Sequence, residues 1–374
     1  MPSIAAPAAV LVTGANGFIG QWVVLELLSR GYTVHGTVRT ADKVATLSDL
    51  VARKSPEGKV RFKGFVVPDI TAVRATPAAA PFMTCSAGLS SQDGAFDEAV
   101  QGVDGVIHLA SPTSIHLEDP QAAIKPAVKG TTSILHSALK ARTVKRMVIA
   151  SSISAIASGS ICPPRVYTEE DWNDRAVQVT ENEGRNAPGL IKYEASKTLA
   201  ERAAWEFMEK HRAGVCFDLC VINPSLVFGP MVDDTLPSPD ALPVTPAMVY
   251  KALFARPSPA ECTSACFNCV DVRDITEMFV KALETEEAGG ERIVGNAQAC
   301  TWDDWLLANE HLGLLPGLDR VTQHKAHEPR LPHPFFANDK SKRIFGITYK
   351  GVSDTLRDTV ADFNVRGWLK HLEG

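Results

Sequence analysis

Val10, Leu11 and Val12 run without a break into Thr13-Gly14-Ala15-Asn16-Gly17-Phe18-Ile19-Gly20, and a helical pattern continues from Phe18 to Ser29, where Gly31 stops it. Few chains can accommodate such a stretch. An apolar β-branched run is a buried strand, and three glycines spaced three apart serve three needs: a tight turn, the approach of a pyrophosphate, and close packing of the next helix on the sheet. The turn residues Gly14, Ala15, Asn16, Gly17, Phe18, Ile19 and Gly20 are therefore the candidate phosphate site of a dinucleotide, on a strand–turn–helix unit that belongs in a parallel sheet.

The alternation continues. Further strands are predicted over Val34–Val38, Val60–Val67, Gly105–Leu109, Lys145–Ser151 and Phe217–Ile222. Helices are predicted over Asp42–Ala52, Ala95–Gln101, Ala122–Ala141 and Leu190–His211. This is the pattern of an α/β protein with a doubly wound parallel sheet, a Rossmann fold, over residues 1–224. Beyond Pro224 prolines recur and the alternation breaks up, so residues 225–374 read mainly as a smaller C-terminal substrate lobe of loops and short helices. Within it, 266–285 is expected to return to the main body.

Composition excludes several classes. With 45% hydrophobic and 22% charged residues the 374-residue chain is neither disordered nor fibrous. Its 38 Lys+Arg against 43 Asp+Glu leave a net charge of -5 without a basic run, so no nucleic acid or anionic membrane is an expected partner. There is no apolar stretch of membrane-spanning length, and Met1–Val10 lacks the basic start and apolar core of a signal peptide, so a cytoplasmic protein is expected, as a monomer or homodimer. The spacing Cys262-x3-Cys266-x2-Cys269 has the form of an iron–sulfur cradle, but it approaches a strand and no further ligand stands nearby; ordinary thiols and no metal are expected.

The end of the second strand selects the dinucleotide. An NAD site places an acid there for the ribose diol, whereas this chain has Val38-Arg39-Thr40 with Lys43 beyond, which suits the 2′-phosphate of NADP(H). Asp69 and Ile70, after the third strand, are placed to reach the adenine, and Ala110 and Ser111, after the fourth, border the rest of the cofactor.

Tyr193 and Lys197 stand four apart on a predicted helix, so phenol and ammonium share a face. The lysine charge is expected to lower the Tyr193 pKa toward the range useful for proton transfer. By chance about 0.24 such pairs occur in a chain of this composition, so spacing alone is weak. Position strengthens it: the fifth strand ends in Ala150-Ser151-Ser152, which brings the Ser152 hydroxyl to the carboxyl edge of the sheet near the phenol, with Ser151 facing the other side.

With these motifs together the chain resembles an extended short-chain dehydrogenase/reductase, in the branch of dihydroflavonol reductases, cinnamoyl-CoA reductases and fungal aldehyde and methylglyoxal reductases. Matching stretches are Val12–Gly20, Gly36–Lys43, Val106–Pro112, Val144–Ser152, Tyr193–Trp205, Val221–Pro230, Val270–Ile275 and Leu356–Phe363. The resemblance implies Ser152, Tyr193 and Lys197 as catalytic triad, Lys197 on the ribose, and Pro224 to Val227, with Pro224 and Val227 themselves, lining the nicotinamide. It implies reduction of a small-molecule aldehyde or ketone by NADPH, with apolar pocket walls from Pro112–Ile115, Ser154–Ile156, Leu226–Val232 and Val244–Leu253.

The chain departs from the branch at three places. Ser133 stands where an Asn is usual, Phe279 where a His is common, and Thr71–Gln92, 22 residues with Arg74 as the only charge, separates the third strand from Gly94–Ala99, to which the family joins it directly. That excursion is expected to be structureless surface chain or a retained intron. Two other classes use such a scaffold. A nucleotide-sugar epimerase or dehydratase usually carries an acid at the Arg39 position, and a non-catalytic NADP-binding regulator can dispense with the Tyr/Lys pair.

Overall fold

The computed structural model describes residues 3–71, 94–111, 118–159, 161–254, 266–315 and 333–369. In chain order the strands are β1 (Ala9–Thr13), β2 (Thr33–Val38), β3 (Phe62–Val66), β4 (Gly105–His108), β5 (Arg146–Ala150), β6 (Val166–Tyr167), β7 (Asp218–Pro224), β8 (Leu226–Phe228), β9 (Phe267–Asp271), β10 (Arg292–Gly295), β11 (Gln298–Cys300) and β12 (Phe335–Phe336). The first helices are α1 (Phe18–Ser29), α2 (Ala41–Lys54), α3 (Gln121–Ala141), α4 (Asp174–Glu183), α5 (Gly189–Lys210) and α6 (Val244–Phe254).

Seven strands form one parallel sheet in the order β10-β7-β5-β4-β1-β2-β3, reversing direction of growth between β1 and β4. That reversal opens a crevice at the carboxyl ends of β1 and β4, where ligands of such sheets bind. Alternation within each strand covers both faces. Val10 and Val12 of β1, Ile107 of β4, Val148 of β5 and Ile222 of β7 pack with α1, α2 and the helix Val272–Glu284. Leu11, Val106, Met147, Ile149 and Val221 pack on the other side with Ile134 and Leu135 of α3 and with Ala204 and Phe207 of α5. The Rossmann-type doubly wound sheet is thus present, with a third core beyond β7 built around Phe228, Leu253, Trp305, Leu356 and Phe363.

Several predicted elements are corrected. The seventh strand, β10, was not among those read from the sequence: Arg292–Gly295 is a four-residue run whose strand character comes from pairing with β7. Ala95–Gln101 is a series of turns rather than a helix, too short for the helical ladder to outweigh its nucleation cost. The third strand begins at Phe62, not Val60, because Pro56–Arg61 forms a 3₁₀ turn. The substrate lobe is not only loops and helices: β8, β9 and β11 form a sheet of their own in the order β11-β9-β8, and β6 pairs with β12. Phe267–Asp271 belongs to that small sheet, and the helix after it returns to the main one. Most of Thr71–Gln92, from 72 on, and Pro112–Ile115 and Cys262 lie outside the described residues.

Candidate active site

The glycine turn is clamped to the end of β4. Thr13 Oγ1 accepts the backbone N–H groups of Leu109 and Ala110, both at 3.1 Å, and lies 2.8 Å from His108 Nδ1. With both lone pairs engaged, the Thr13 hydroxyl donates to His108, which burial holds neutral with its pKa lowered to about 3. Gly14 has φ of +65°, and a Cβ there would stand 3.1 Å from the Ala110 nitrogen. At Gly20 a Cβ would fall 2.3 Å from the Gly14 carbonyl oxygen, so only glycine lets the first turn of α1 close onto Ala15. Asn16 completes the turn, and Phe18 and Ile19, which open α1, pack back on the core.

Gly17 caps α1 without a side-chain acceptor, and the first turn carries no acid. Unsatisfied N–H groups at a positive helix end suit a pyrophosphate. Ala15 N–H binds the Thr37 carbonyl at 3.1 Å, which sets the turn beside the end of β2 and hence beside Arg39. Arg39 and Lys43, at the start of α2, are exposed and make no ion pair among the described residues, leaving both cations available for a 2′-phosphate. Asp69 is exposed, its carboxylate accepting the Thr71 N–H and hydroxyl at 2.8 and 2.7 Å and held below the usual range by those bonds. Ile70 packs against Gly130 of α3.

Ser152, Tyr193, Lys197 and Ser111 meet at the carboxyl edge of the sheet. Ser152, just past β5, accepts the Ser154 N–H at 3.1 Å, and its hydroxyl lies close enough to the Tyr193 phenol to favour the phenolate. Lys197 donates to Ser111 Oγ at 2.9 Å and lies 5.7 Å from the centre of the Tyr193 ring. Ser151 turns to Glu201, 2.5 Å away, as its expected direction implied. Pro224 ends β7, Ser225 binds the Gly295 carbonyl, and Val227 is buried in β8.

The electrostatics overturn one expectation. The Tyr193 pKa is not lowered but pushed up to about 12, because burial of the phenol outweighs the opposing influence of the nearby Ser152 hydroxyl. Lys197 is buried too, and desolvation pulls it down to about 8, opposed by the charge of Glu201. Spacing places the ammonium near the phenol but says nothing of the dielectric around both.

Sequence inspection also missed the Thr13–His108 clasp and the polar groups beneath the site. Glu201 Oε2 accepts from Asn223 Nδ2 at 2.8 Å, Glu201 Oε1 pairs with Arg292 at 2.5 Å, and Asn223 donates to the Ser152 carbonyl at 3.1 Å. The i+4 step from Lys197 to Glu201 was available as a signal; the other partners come from distant strands. Cys269 of the cysteine motif lies against Cys300, Sγ to Sγ 3.3 Å. Ser133 is half-buried, and Phe279 sits fully buried in the core.

A family model described as the NAD dependent epimerase/dehydratase family matches residues 10–296. Cinnamoyl-CoA reductase CAD2 of Medicago truncatula is 32% identical over 94% of each chain. The NADPH-dependent methylglyoxal reductase GRE2 of Saccharomyces cerevisiae is 30% identical over 94% of this chain and 97% of its own. The crystal structure of yeast methylglyoxal/isovaleraldehyde reductase Gre2 with NADPH superposes with a TM-score of 0.79 at 29% identity, covering 96% of this chain and 99% of that one. The chain belongs to the NAD-dependent epimerase/dehydratase family of extended short-chain dehydrogenase/reductases.

Proposed function

We propose that the chain is an NADP(H)-dependent reductase of an aldehyde or ketone, apolar or aromatic, with Tyr193 as proton donor. The observation that carries this reading is the Lys197–Ser111 hydrogen bond beside the Tyr193 ring at the sheet edge, next to Ser152 and an uncapped glycine turn. The cofactor would be held by Gly14 to Gly20 at its pyrophosphate, by Arg39 and Lys43 at its 2′-phosphate, by Asp69 and Ile70 at its adenine, by Ala110, Ser111, Tyr193 and Lys197 at its ribose, and by Pro224 and Val227 at its nicotinamide. When bound it supplies a hydride to the carbonyl carbon.

The protein's own groups handle the oxygen. Tyr193 gives its phenolic proton to the developing alkoxide, and Ser152 donates a hydrogen bond to the same oxygen. At a pKa of about 12 the phenol is fully protonated at neutral pH, which favours the reductive direction. Lys197, as the ammonium, stabilises the phenolate that remains. Phe228, Met231 and Val232 supply buried apolar surface next to β8, in keeping with an uncharged substrate. Relatives described as cinnamoyl-CoA and methylglyoxal reductases support the same reading.

NADPH oxidation against a panel of aldehydes, α-diketones and β-ketoesters tests it. The expected result is turnover of at least one class that Tyr193→Phe lacks; no turnover of any panel member above that variant overturns the proposal.

A further inference from the structure

Glu201 follows Lys197 by four residues and Tyr193 by eight, so all three lie along one face of α5. Its side chain is wholly buried, yet its carboxylate collects four donors: Ser151 Oγ at 2.5 Å, Asn223 Nδ2 at 2.8 Å, Arg292 Nε at 2.5 Å and Trp205 Nε1 at 3.4 Å. Two of those donors flank Ser152. Ser151 precedes it in the chain, and Asn223 gives its second amide proton to the Ser152 carbonyl at 3.1 Å. Arg292 is fixed in turn by the carbonyls of Glu169 and Asp171, at 2.5 and 2.8 Å, and stacks 3.8 Å from the Trp172 ring centre.

A buried ion pair is a poor device for stability alone, since apolar residues of like volume commonly do as well. Here it joins the end of β5, β7, β10 and the 169–172 segment to the helix that carries Tyr193 and Lys197. We propose that Glu201 is a positioning residue for Ser152, Tyr193 and Lys197: it sets Ser152 against the phenol through Ser151 and Asn223, and it places a buried, donor-saturated carboxylate one helical turn from Lys197. The proposal rests on the reductase reading above.

The charge effect has a defined sign. Lys197 is desolvated beside the neutral His108 of β4, the Ser111 hydroxyl and the Tyr193 ring, and Glu201 is the group that opposes its loss of a proton. Around Glu201 the charged neighbours are Arg292 from β10 and, through it, the 169–171 segment, where the Glu169 carboxylate is committed to the Val294 N–H and the Asp171 carboxylate to Arg165. Removing the Glu201 charge therefore lets Lys197 deprotonate at lower pH.

The test measures NADPH dissociation constants and kcat from about pH 6 to 10 for the wild type and Glu201→Gln. The double variant Glu201→Gln/Arg292→Met, which leaves no orphan cation, serves if the single variant does not fold. The alkaline break in NADPH binding is expected about one pH unit lower than in the wild type. In parallel kcat at neutral pH should fall about tenfold or more with KM little changed. A folded variant whose binding break stays in place and whose kcat is unchanged overturns the proposal. Absence of carbonyl reduction by the wild type, or full activity of Tyr193→Phe, would instead overturn the reductase reading, and the binding break would still decide the role of Glu201.

Discussion

Lys197 reaches across from α5 to the Ser111 hydroxyl just past β4, 2.9 Å away, so one side chain ties the helix that carries Tyr193 to the strand edge beside the glycine turn. Its ammonium is held near a pKa of about 8 by burial, whereas Tyr193 does not titrate until about 12. The alkaline limb of reduction should therefore belong to the lysine. Activity is expected to be flat below that value and to fall above it, as the charge that stabilises the phenolate is lost. Lys197→Met should abolish the limb and weaken NADPH binding; a limb that persists in the variant would have to arise elsewhere.

Tyr193→Phe removes one hydroxyl and keeps the ring. Donation by a positioned acid contributes about 10² to 10⁴ in rate, so turnover should collapse by that factor while the fold is kept and NADPH affinity, which loses at most one contact to the ribose, falls far less. Ser152→Ala should lose less, because only one hydrogen bond to the alkoxide goes. Steady-state kinetics beside fluorescence titration of NADPH separates the two effects, and more than about a tenth of wild-type turnover in Tyr193→Phe would remove the phenol from its role.

Arg39 and Lys43 face solvent and have no carboxylate partner among the described residues, so changing Arg39 leaves the fold intact and reports on cofactor choice alone. A charge-assisted contact contributes about 1.5 to 3 kcal/mol, so NADPH should bind at least about tenfold tighter than NADH. Arg39→Asp should shrink or reverse that ratio. Equal dissociation constants for the two cofactors in the wild type would exclude a 2′-phosphate site there.

Local chemistry was legible in the sequence and long-range partnership was not. The turn from Gly14 to Gly20 and the Tyr193–Lys197 pair depend on residues within one or two helical turns, so spacing together with position after a strand singles them out. Ser152 could be placed because a strand end is also a local signal. Arg292, by contrast, reaches Glu201 from 91 positions away, and nothing in Arg292–Gly295 marks it as the seventh strand until β7 lies beside it. The sign of the Tyr193 shift was missed for a related reason: it depends on how much water the fold excludes, which the i, i+4 rule does not contain.

Gly20→Ala tests the closeness of the turn. The added methyl would meet the Gly14 carbonyl oxygen at 2.3 Å and the Ala15 backbone at 3.0 Å, and backbone cannot swing aside as a side-chain tip can. Overpacking of this kind costs about 1 to 3 kcal/mol. Thermal unfolding should record that loss, and NADPH affinity should fall with it because the same shift moves the N-terminus of α1. Unchanged affinity in a folded variant would mean that the turn does not hold the pyrophosphate.

Glu194, next to Tyr193, is almost wholly buried with Oε2 unbonded, and desolvation pushes its carboxyl up from 4.5 to about 7 despite hydrogen bonds with Ser158 and Asn173. The folded protein therefore binds a proton at Glu194 that the unfolded chain has already released between those two values. Stability from the protonated group is fully present below the unfolded pKa and is lost as pH rises through about 7, a change of order 3 kcal/mol when complete. Glu194→Gln mimics the protonated form at every pH. Its melting temperature should exceed that of the wild type by several degrees near pH 8 and match it near pH 5, since only at the higher pH does the wild type hold a buried charge. A difference of equal size at both pH values would show that the substitution acts through packing and that Glu194 does not titrate in this range.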